Sequence, residues 1–362
     1  MEQVGLIGQP NSGKSSLFNA LTNQSSPVAQ HPYTTTASHK ATAEVPDFRL
    51  DLLSQLSSSK KTVYTVVEVV DIAGLSAGAN AGEGMGNKFL AGVREVDALG
   101  IVLRSFVDDS IPGSADISSQ LEELEMELVL ADLNAVENLV SKRKKASKNP
   151  SKSDPNSKIY LEALEQALPT LSEGIPIYRS NLNDEVRANL KEAFLLTNKP
   201  VFAVINISEN QIGEESQIAQ KISSHLQESV EPIVVCVQLE AEAAQLPREE
   251  RAEMLEGLGL GSGVLPKVAK AAHEALNLNT FFTTGDKESR AWTFRAGSTA
   301  PVCAGVIHSD LQRGFIRAEV IDYKTLLEIG SWTKAKSEGK VRLEGKDYVV
   351  KDGDVLEIRF NV

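Results

Sequence analysis

A glycine-rich stretch near the start of the sequence has the residue types and spacing that bind phosphate. Residues 8–15 read GQPNSGKS, a complete GxxxxGK(S/T) pattern between an apolar run and a helical pattern. Glycines let the backbone of such a loop curve so that its N–H groups converge on a phosphate. The stretch therefore predicts a nucleotide-binding loop, formed by Asn11, Ser12, Gly13, Lys14, Ser15 and Ser16.

Three residues of this loop have separate predicted roles. The Lys14 ammonium is long enough to reach the β- and γ-phosphates, and the Ser15 hydroxyl is expected to bind Mg²⁺. We hypothesise that Asn11 helps to bind a monovalent cation such as K⁺ beside the phosphates. The alternative for Asn11 is a purely loop-capping role.

A second pattern, VVDIAG at residues 69–74, supplies the other half of a triphosphate site. Asp71 ends an apolar run, where its carboxylate would lie near the metal, and Gly74 can offer its N–H to a γ-phosphate. A switch threonine from the stretch HPYTTTASH would complete the metal shell. Spacing alone does not choose among Thr34, Thr35 and Thr36.

The residue after Gly74 bears on the rate of hydrolysis. Leu75 stands where Ras-like proteins carry a glutamine that orients the attacking water, and an aliphatic side chain cannot do this. Slow intrinsic hydrolysis is therefore expected, with a partner, another residue or a cation needed to position the water.

The stretch VINISE, residues 204–209, has the place and almost the form of the Asn-Lys-x-Asp that reads guanine. Ile207 replaces the lysine, and Glu209 is one methylene too long for the bidentate carboxylate contact. Loss of such a contact removes about 1–3 kcal/mol of base discrimination. Asn206 retains a donor and an acceptor for the N6/N7 edge of adenine, and Ile207 is expected to cover the base. We therefore predict that ATP is preferred over GTP.

The bulk composition restricts the class of protein. The chain has 362 residues and a net charge of −12, which argues against a protein that coats nucleic acid with its whole surface. A helix needs about 20 apolar residues to span a bilayer, and every apolar run in the sequence is much shorter. Cys236 and Cys303 have no metal-ligand spacing and are expected to be reduced core thiols. A cytoplasmic protein without a membrane partner is predicted.

A local basic stretch lies within this acidic chain. It is opposed only by Asp154, and its members are Lys142, Arg143, Lys144, Lys145, Lys148, Lys152 and Lys158. One interpretation is a solvated helix tip, and the other is a tip that contacts RNA phosphates.

The order of apolar runs predicts the architecture. Five runs, QVGLIG, TVVEVVD, ALGIVLRSF, PVFAVIN and EPIVVCV, alternate with helical patterns, as in a parallel sheet with crossover helices. Between the third and fourth runs, two helical patterns predict an inserted hairpin at about residues 116–198. From about Phe281 onward, the runs AGVIH, FIRAEVI and DYVVKDGDVLEIRF predict the strands of a small α+β domain.

Several long stretches together resemble the Obg-like ATPases of the YchF type. They are GQPNSGKSSLFNALT, VVDIAGLSAGANAGEGMGNKFLAGVREVDAL, TFFTTGDKESRAWTFRAGSTAPVCAGVIHSDLQRGFIRAEVI and GKDYVVKDGDVLEIRFNV. The resemblance implies a GTPase-like domain, residues 1–278, with a coiled-coil hairpin insertion. It also implies a C-terminal ubiquitin-like β-grasp (TGS) domain, residues 279–362, association with ribosomes, and ATP as the preferred nucleotide.

The resemblance also assigns single residues. It selects Thr35 as the switch threonine and, with Ser15, as a metal ligand, and it makes the aliphatic Leu75 a family trait. A histidine that the family carries after its third strand is replaced here by Gly113, so its proposed role in hydrolysis does not transfer.

These observations predict a ribosome-associated ATPase that binds Mg²⁺ and hydrolyses ATP slowly as a conformational switch linked to translation. The basic tip and the TGS domain would contact rRNA or ribosomal protein, on a subunit that the sequence does not specify. The main alternative is an RNA- or protein-binding scaffold in which the nucleotide is chiefly structural. A small-molecule kinase is a third reading, which the DxxG and VINISE stretches disfavour.

Overall fold

The computed structural model describes residues 2–22, 39–73, 84–107, 114–147, 155–223, 225–226, 230–261 and 263–361. Nine residues discussed above lie outside these ranges: Thr34, Thr35, Thr36, Gly74, Leu75, Gly113, Lys148, Lys152 and Asp154. Their assigned roles stay predictions.

Twelve strands and fourteen α-helices occur in the described residues. The strands are β1 Gln3–Ile7, β2 His39–Val45, β3 Thr62–Val63, β4 Thr65–Asp71, β5 Ala98–Arg104, β6 Val201–Asn206, β7 Ile233–Val235, β8 Leu278–Thr283, β9 Ser289–Arg295, β10 Phe315–Asp322, β11 Arg342–Glu344 and β12 Asp354–Phe360. The helices are α1 Lys14–Thr22, α2 Phe48–Leu56, α3 Gly84–Glu95, α4 Ile117–Ser147, α5 Pro155–Ser172, α6 Asp184–Asn189, α7 Glu215–Ser223, α8 Val237–Ala244, α9 Arg248–Gly257, α10 Leu265–Ala275, α11 Ala300–Ile307, α12 Ser309–Arg313, α13 Tyr323–Ile329 and α14 Trp332–Ser337. Of these helices, none is both long and apolar enough to cross a membrane.

The first sheet has the strand order β2-β4-β1-β5-β6-β7, and β4, β1, β5, β6 and β7 pair in parallel with their neighbours in that order. All five predicted strands of this sheet are confirmed. Strand β2 was missed because it alternates exposed and buried residues, whereas the prediction relied on continuous apolar runs. The carboxyl ends of parallel strands share one edge, which brings together the residues that follow β1, β4 and β6.

The predicted helical hairpin consists of α4 and α5. The apolar residues of α4 pack against two different parts of the structure. Leu121, Leu124 and Leu128 are buried in the core of the parallel sheet. Further along, Val136 and Val140 of α4 pack with residues of α5, among them Leu164. The first turns of α4 therefore belong to the sheet domain, and the rest of the helix forms the hairpin.

The second sheet has the order β11-β10-β12-β8-β9-β3. The predicted strand FIRAEVI is confirmed as β10, and the end of DYVVKDGDVLEIRF is confirmed as β12. The prediction for AGVIH is wrong, because these residues fall almost wholly in α11. Ala300, Cys303 and Ala304 are buried on one face of that helix at helical spacing, which explains the apolar run.

The chain divides into two compact units. The first unit contains Met1–Thr42 and Glu68–Val268, and the second contains Ala43–Val67 and Ala269–Val362. The predicted boundary between residues 278 and 279 assigned residues 43–67 to the first domain, whereas they belong to the second unit. Packing explains this assignment, because Leu50 and Leu53 of α2 are buried in one cluster with Phe282 and other residues of the second sheet.

Candidate nucleotide-binding site

The loop between β1 and α1 has the backbone of a phosphate-binding loop. Asn11 and Gly13 adopt positive φ angles of 62° and 90°. A side chain at Gly8 would collide with the carbonyl oxygen of Val102, so this position requires glycine. The loop closes through a hydrogen bond from the Ser12 N–H to the Gln9 carbonyl, at 3.3 Å. These features match the sequence prediction of a curved, glycine-dependent loop.

Lys14, Ser15 and Asp71 come together at the edge of the sheet. The Lys14 ammonium forms an ion pair with Asp71 Oδ1, and Ser15 Oγ donates to Asp71 Oδ2 at 2.6 Å. Lys14 and Asp71 are 6% and 1% exposed, so the two charges compensate each other in a largely buried place. The sequence predicted that these three residues act at one site, and the structure brings them into contact.

Two buried polar atoms of the loop have no hydrogen-bond partner in the described part of the chain: Asn11 Nδ2 and Ser12 Oγ. A buried polar group without a partner costs about 1–3 kcal/mol, so a bound water, ion or ligand that satisfies these two groups is favoured. Phosphate oxygens are acceptors for both groups, and the residues present therefore fit a bound nucleotide.

Asn206 has a different main contact from the one predicted. Its Nδ2 donates to the carbonyl of Ser12 at 3.1 Å, and its Oδ1 accepts from the Val237 N–H at 3.2 Å. The side chain is 6% exposed, and a Cβ at Gly13 would collide with its amide. Asn206 thus joins the phosphate-binding loop, β6 and α8, which leaves one N–H and one lone pair for the predicted contact with a base.

The structure corrects the role assigned to Ile207. Its side chain is 2% exposed and lies in the apolar core of the parallel sheet, so it does not cover a base. Its N–H is also engaged, with the Val235 carbonyl at 3.0 Å. The sequence alone could not show this, because an isoleucine suits a core and a base-covering surface equally. Glu209 is exposed at the start of a 3-10 turn, where its carboxylate faces solvent.

The cysteine beside this region is confirmed as a free, buried thiol, as is Cys303. Cys236 immediately precedes α8, and burial raises the pKa of its thiol above the ordinary value. The thiol is therefore protonated at neutral pH and acts as a small apolar group beside Val237.

The sequence did not predict two sets of hydrogen bonds made by α4, one with the phosphate-binding loop and one with the end of β5. Gln9 Nε2 donates to Glu123 Oε2 at 2.5 Å, and the Gln120 amide bonds both the N–H and the carbonyl of Arg104, at 3.0 and 2.7 Å. No sequence signal identifies these pairs, because their members are far apart in the chain and have no motif spacing.

A third set of hydrogen bonds that the sequence did not predict holds the end of α3. The Lys199 ammonium donates to the carbonyls of Val93 and Arg94 at 2.8 and 2.9 Å, and also to that of Val96. These carbonyls lie at or just beyond the helix C-terminus, where a cation is favourable. Lys199 follows a turn that the buried Asp132 of α4 holds through the Leu196 and Thr197 N–H groups.

The basic stretch is less free than its composition suggested. Lys144 pairs with Glu165 at 2.7 Å, and Lys158 pairs with Glu162 at 3.7 Å. Arg143 lies over the ring of Tyr160, 5.0 Å from its centroid. Two carboxylates that follow the stretch, Glu162 and Glu165, therefore compensate part of its charge, in addition to Asp154, which lies outside the described residues. Lys142 and Lys145 are the exposed cations of the described tip for which the structure shows no ion pair.

These contacts place the chain in the class of P-loop nucleotide-binding proteins, because a strand, a glycine-rich loop and a helix present a lysine and a serine to one carboxylate. Residues 3–142 match the family model described as a 50S ribosome-binding GTPase. Residues 278–361 match the YchF GTPase C-terminal family, whose description is a protein of unknown function. The chain belongs to the YchF family, and the predicted resemblance is confirmed.

Relatives match over almost the entire chain. The ribosome-binding ATPase YchF of Bacillus subtilis is 43% identical, with 99% of each chain covered. The Obg-like ATPase 1 of Oryza sativa is 37% identical, with 99% of this chain and 92% of that protein covered. The solved structure of the Schizosaccharomyces pombe YchF GTPase is similar at a TM-score of 0.84 and 32% identity, with 99% of this chain and 97% of that chain covered.

Proposed function

We propose that this protein binds ATP in preference to GTP and hydrolyses it slowly as a conformational switch. The observation that carries the proposal is the loop itself, where the Asn11 and Ser12 side chains present buried, unpartnered polar atoms next to Lys14. The oxygens of a triphosphate would accept hydrogen bonds from the two unpartnered groups, and their negative charge would attract the Lys14 ammonium.

Mg²⁺ is proposed as the resident metal, held by Ser15 and Thr35, with Asp71 close by. Bound there, it would neutralise charge on the phosphates. The Ser15 hydroxyl already contacts the Asp71 carboxylate, so the donor set consists of the oxygen ligands that Mg²⁺ prefers. K⁺ at Asn11 remains a hypothesis; it would require the amide oxygen to face the ion, and it predicts faster hydrolysis in potassium than in sodium.

The preference for adenine rests on Glu209 and Asn206. Glu209 is exposed and one methylene longer than the aspartate that reads guanine, whereas Asn206 keeps one donor and one acceptor for a base edge. Ile207 no longer contributes to this argument, because its side chain is buried in the core.

The test is a titration of the purified, nucleotide-free protein with ATP and with GTP in the presence of Mg²⁺. We expect ATP to bind about tenfold or more tightly than GTP, since one bidentate guanine contact is lost. GTP binding tighter by that margin would mean that Glu209 reads guanine, and the protein would then be a GTPase. Tight ATP binding with no hydrolysis would instead favour the scaffold.

The ribosome is the proposed partner, as the names of the relatives indicate for those proteins. Lys142 and Lys145 at the hairpin tip, together with the C-terminal domain, are the proposed contacts to rRNA. Co-sedimentation with purified ribosomes at increasing salt tests this proposal, because contacts with RNA phosphates weaken steeply as salt rises.

A further inference from the structure

Helix α4 begins beside the phosphate-binding loop. Glu123, in its second turn, accepts a hydrogen bond from the Gln9 side chain of the loop, at 2.5 Å. Three residues earlier, Gln120 bonds the backbone of Arg104 on both sides, which fixes the first turn of α4 to the end of β5. The N-terminal turn of α4 is therefore fixed to β5, and the Glu123 carboxylate of the next turn contacts the loop.

The same helix ends in the basic tip. It runs without interruption from Ile117 to Ser147 and contains neither glycine nor proline, the usual causes of a kink. At 1.5 Å per residue, Glu123 and Lys145 are separated by about 33 Å along the helix axis. A rigid element of this kind transmits a displacement at one end to the other.

The Gln9–Glu123 contact is suited to sense a nucleotide. The Glu123 carboxylate is an anion hydrogen-bonded to a loop whose ligand is also anionic, so bound phosphates and this carboxylate repel each other. Because Gln120 fixes the first turn of α4 to Arg104, a displacement of the tip tilts the helix about that turn, which alters the Gln9–Glu123 contact and hence the affinity of the loop. Linkage then requires that the nucleotide change the affinity of the tip by the same factor.

We propose that α4 couples the basic tip to the phosphate-binding loop, and that Glu123, acting through Gln9, is the positioning residue that transmits the coupling. This inference rests on the proposed function, because it takes ATP as the ligand of the loop and the ribosome as the ligand of the tip.

The experiment measures one coupling factor in two ways. The dissociation constant for ATP is determined with and without saturating purified 70S ribosomes, and the ribosome affinity is determined with and without ATP. In the wild-type chain we expect both ratios to agree and to be about fivefold or more. Glu123→Ala and Gln9→Ala should each reduce the factor below twofold, and the double variant should reduce it no further.

Glu127→Ala is the matched control, because Glu127 is an exposed carboxylate one turn further along α4. It should keep the wild-type factor. Glu123 is exposed, so its variant should unfold at the wild-type temperature and bind ATP alone no more weakly, which separates coupling from a loss of structure. Melting curves and ATP titrations without ribosomes check both points.

Three outcomes would overturn the proposal. If Glu123→Ala retained the full coupling factor, the Gln9–Glu123 contact would not be the transmitter. If the wild type bound both ATP and ribosomes without mutual influence, the coupling would be absent while the proposed function stood. If the wild type bound neither ATP nor ribosomes, the proposed function would fail, and the coupling with it.

Discussion

The Asn206 amide holds two neighbouring segments at once. One end of the group donates to Ser12 in the phosphate-binding loop, and the other accepts from Val237 at the start of α8. Because Gly13 lies directly against this amide, the loop, β6 and α8 meet at one buried side chain. Asn206 should therefore matter for every nucleotide, whatever its base.

We expect Asn206→Ala to lower the free energy of unfolding by about 1–3 kcal/mol, because the Val237 N–H would lose its buried acceptor. The same variant should weaken both ATP and GTP, since the loop that binds phosphate loses its tether, and it should weaken ATP more, since the contact proposed for adenine is lost as well. Denaturant unfolding and nucleotide titration measure the two effects.

Glu209→Asp is the contrasting variant at the other end of the VINISE stretch. It restores the side-chain length that reads guanine and should shift the ATP:GTP affinity ratio towards GTP without changing stability. A loss of ATP binding alone in Asn206→Ala would instead show that Asn206 acts mainly as a base reader.

At the scale of elements, the α4–α5 hairpin determines which charges face a partner. Ion pairs and ring stacking engage Lys144, Lys158 and Arg143, whereas Lys142 and Lys145 remain exposed on the last turns of α4. A charge count over the basic stretch therefore overstates the cations that are available to RNA.

We expect Lys142→Glu and Lys145→Glu each to weaken ribosome co-sedimentation. Each should also lower the slope of log affinity against log salt by about 0.7–0.9, the effect of one lost phosphate contact. Lys191→Glu makes the same charge change at another exposed lysine of the first unit and should leave the slope unaltered. Unchanged slopes in the two tip variants would favour a solvated tip.

At the scale of the whole molecule, residues 43–67 are an integral part of the second unit. Arg49 in α2 pairs with Asp47 at 2.6 Å and with Asp352 at 2.5 Å, and its guanidinium lies over the rings of Phe282 and Tyr323. Strand β3 also extends the second sheet beside β9. The second unit therefore includes residues 43–67, which precede Asp71 in the sequence.

We expect Arg49→Met to lower the free energy of unfolding by about 1.5–3 kcal/mol, because Asp47 and Asp352 lose a charged donor that also packs on two aromatic rings. Arg313→Met is the control, since Arg313 is largely exposed and pairs only with Asp310 in the described structure. Its cost should be under about 0.5 kcal/mol. Equal losses in the two variants would contradict the structural role given to Arg49.

The second unit should also lose stability in acid through His273. Burial lowers the pKa of this imidazole below its ordinary value of 6.5, against the opposing influence of Asp352 and Asp47 and with a smaller contribution from Arg49. Below pH 6.5 the unfolded chain takes up this proton first, so the folded state loses stability until the pH reaches the lower folded pKa.

We expect the wild type to lose more unfolding free energy than His273→Gln when the pH is lowered from 7.5 to 5.5. Denaturant titrations at the two pH values measure it, and carboxylates common to both proteins cancel in the difference. A difference that is independent of pH would show that His273 titrates normally.

The sequence by itself determined the features that depend on local pattern. The spacing of Gly8, Gly13, Lys14 and Ser15 specifies a phosphate-binding loop, and runs of Val, Ile and Leu specify parallel strands buried on both faces. The order of these runs then places Asp71 and Asn206 at the edge where the loop lies. Pattern failed for β2 and for AGVIH, where alternating or short apolar runs suit more than one structure.

Only the tertiary structure decided how these parts are held together. Ile207 is committed to the core, Asn206 to the loop, and Glu123 to Gln9, because packing brings together residues that are far apart in the chain. The assignment of residues 43–67 to the second unit has the same origin. Such contacts depend on three-dimensional distance and burial, and neither quantity is encoded in the spacing of a motif.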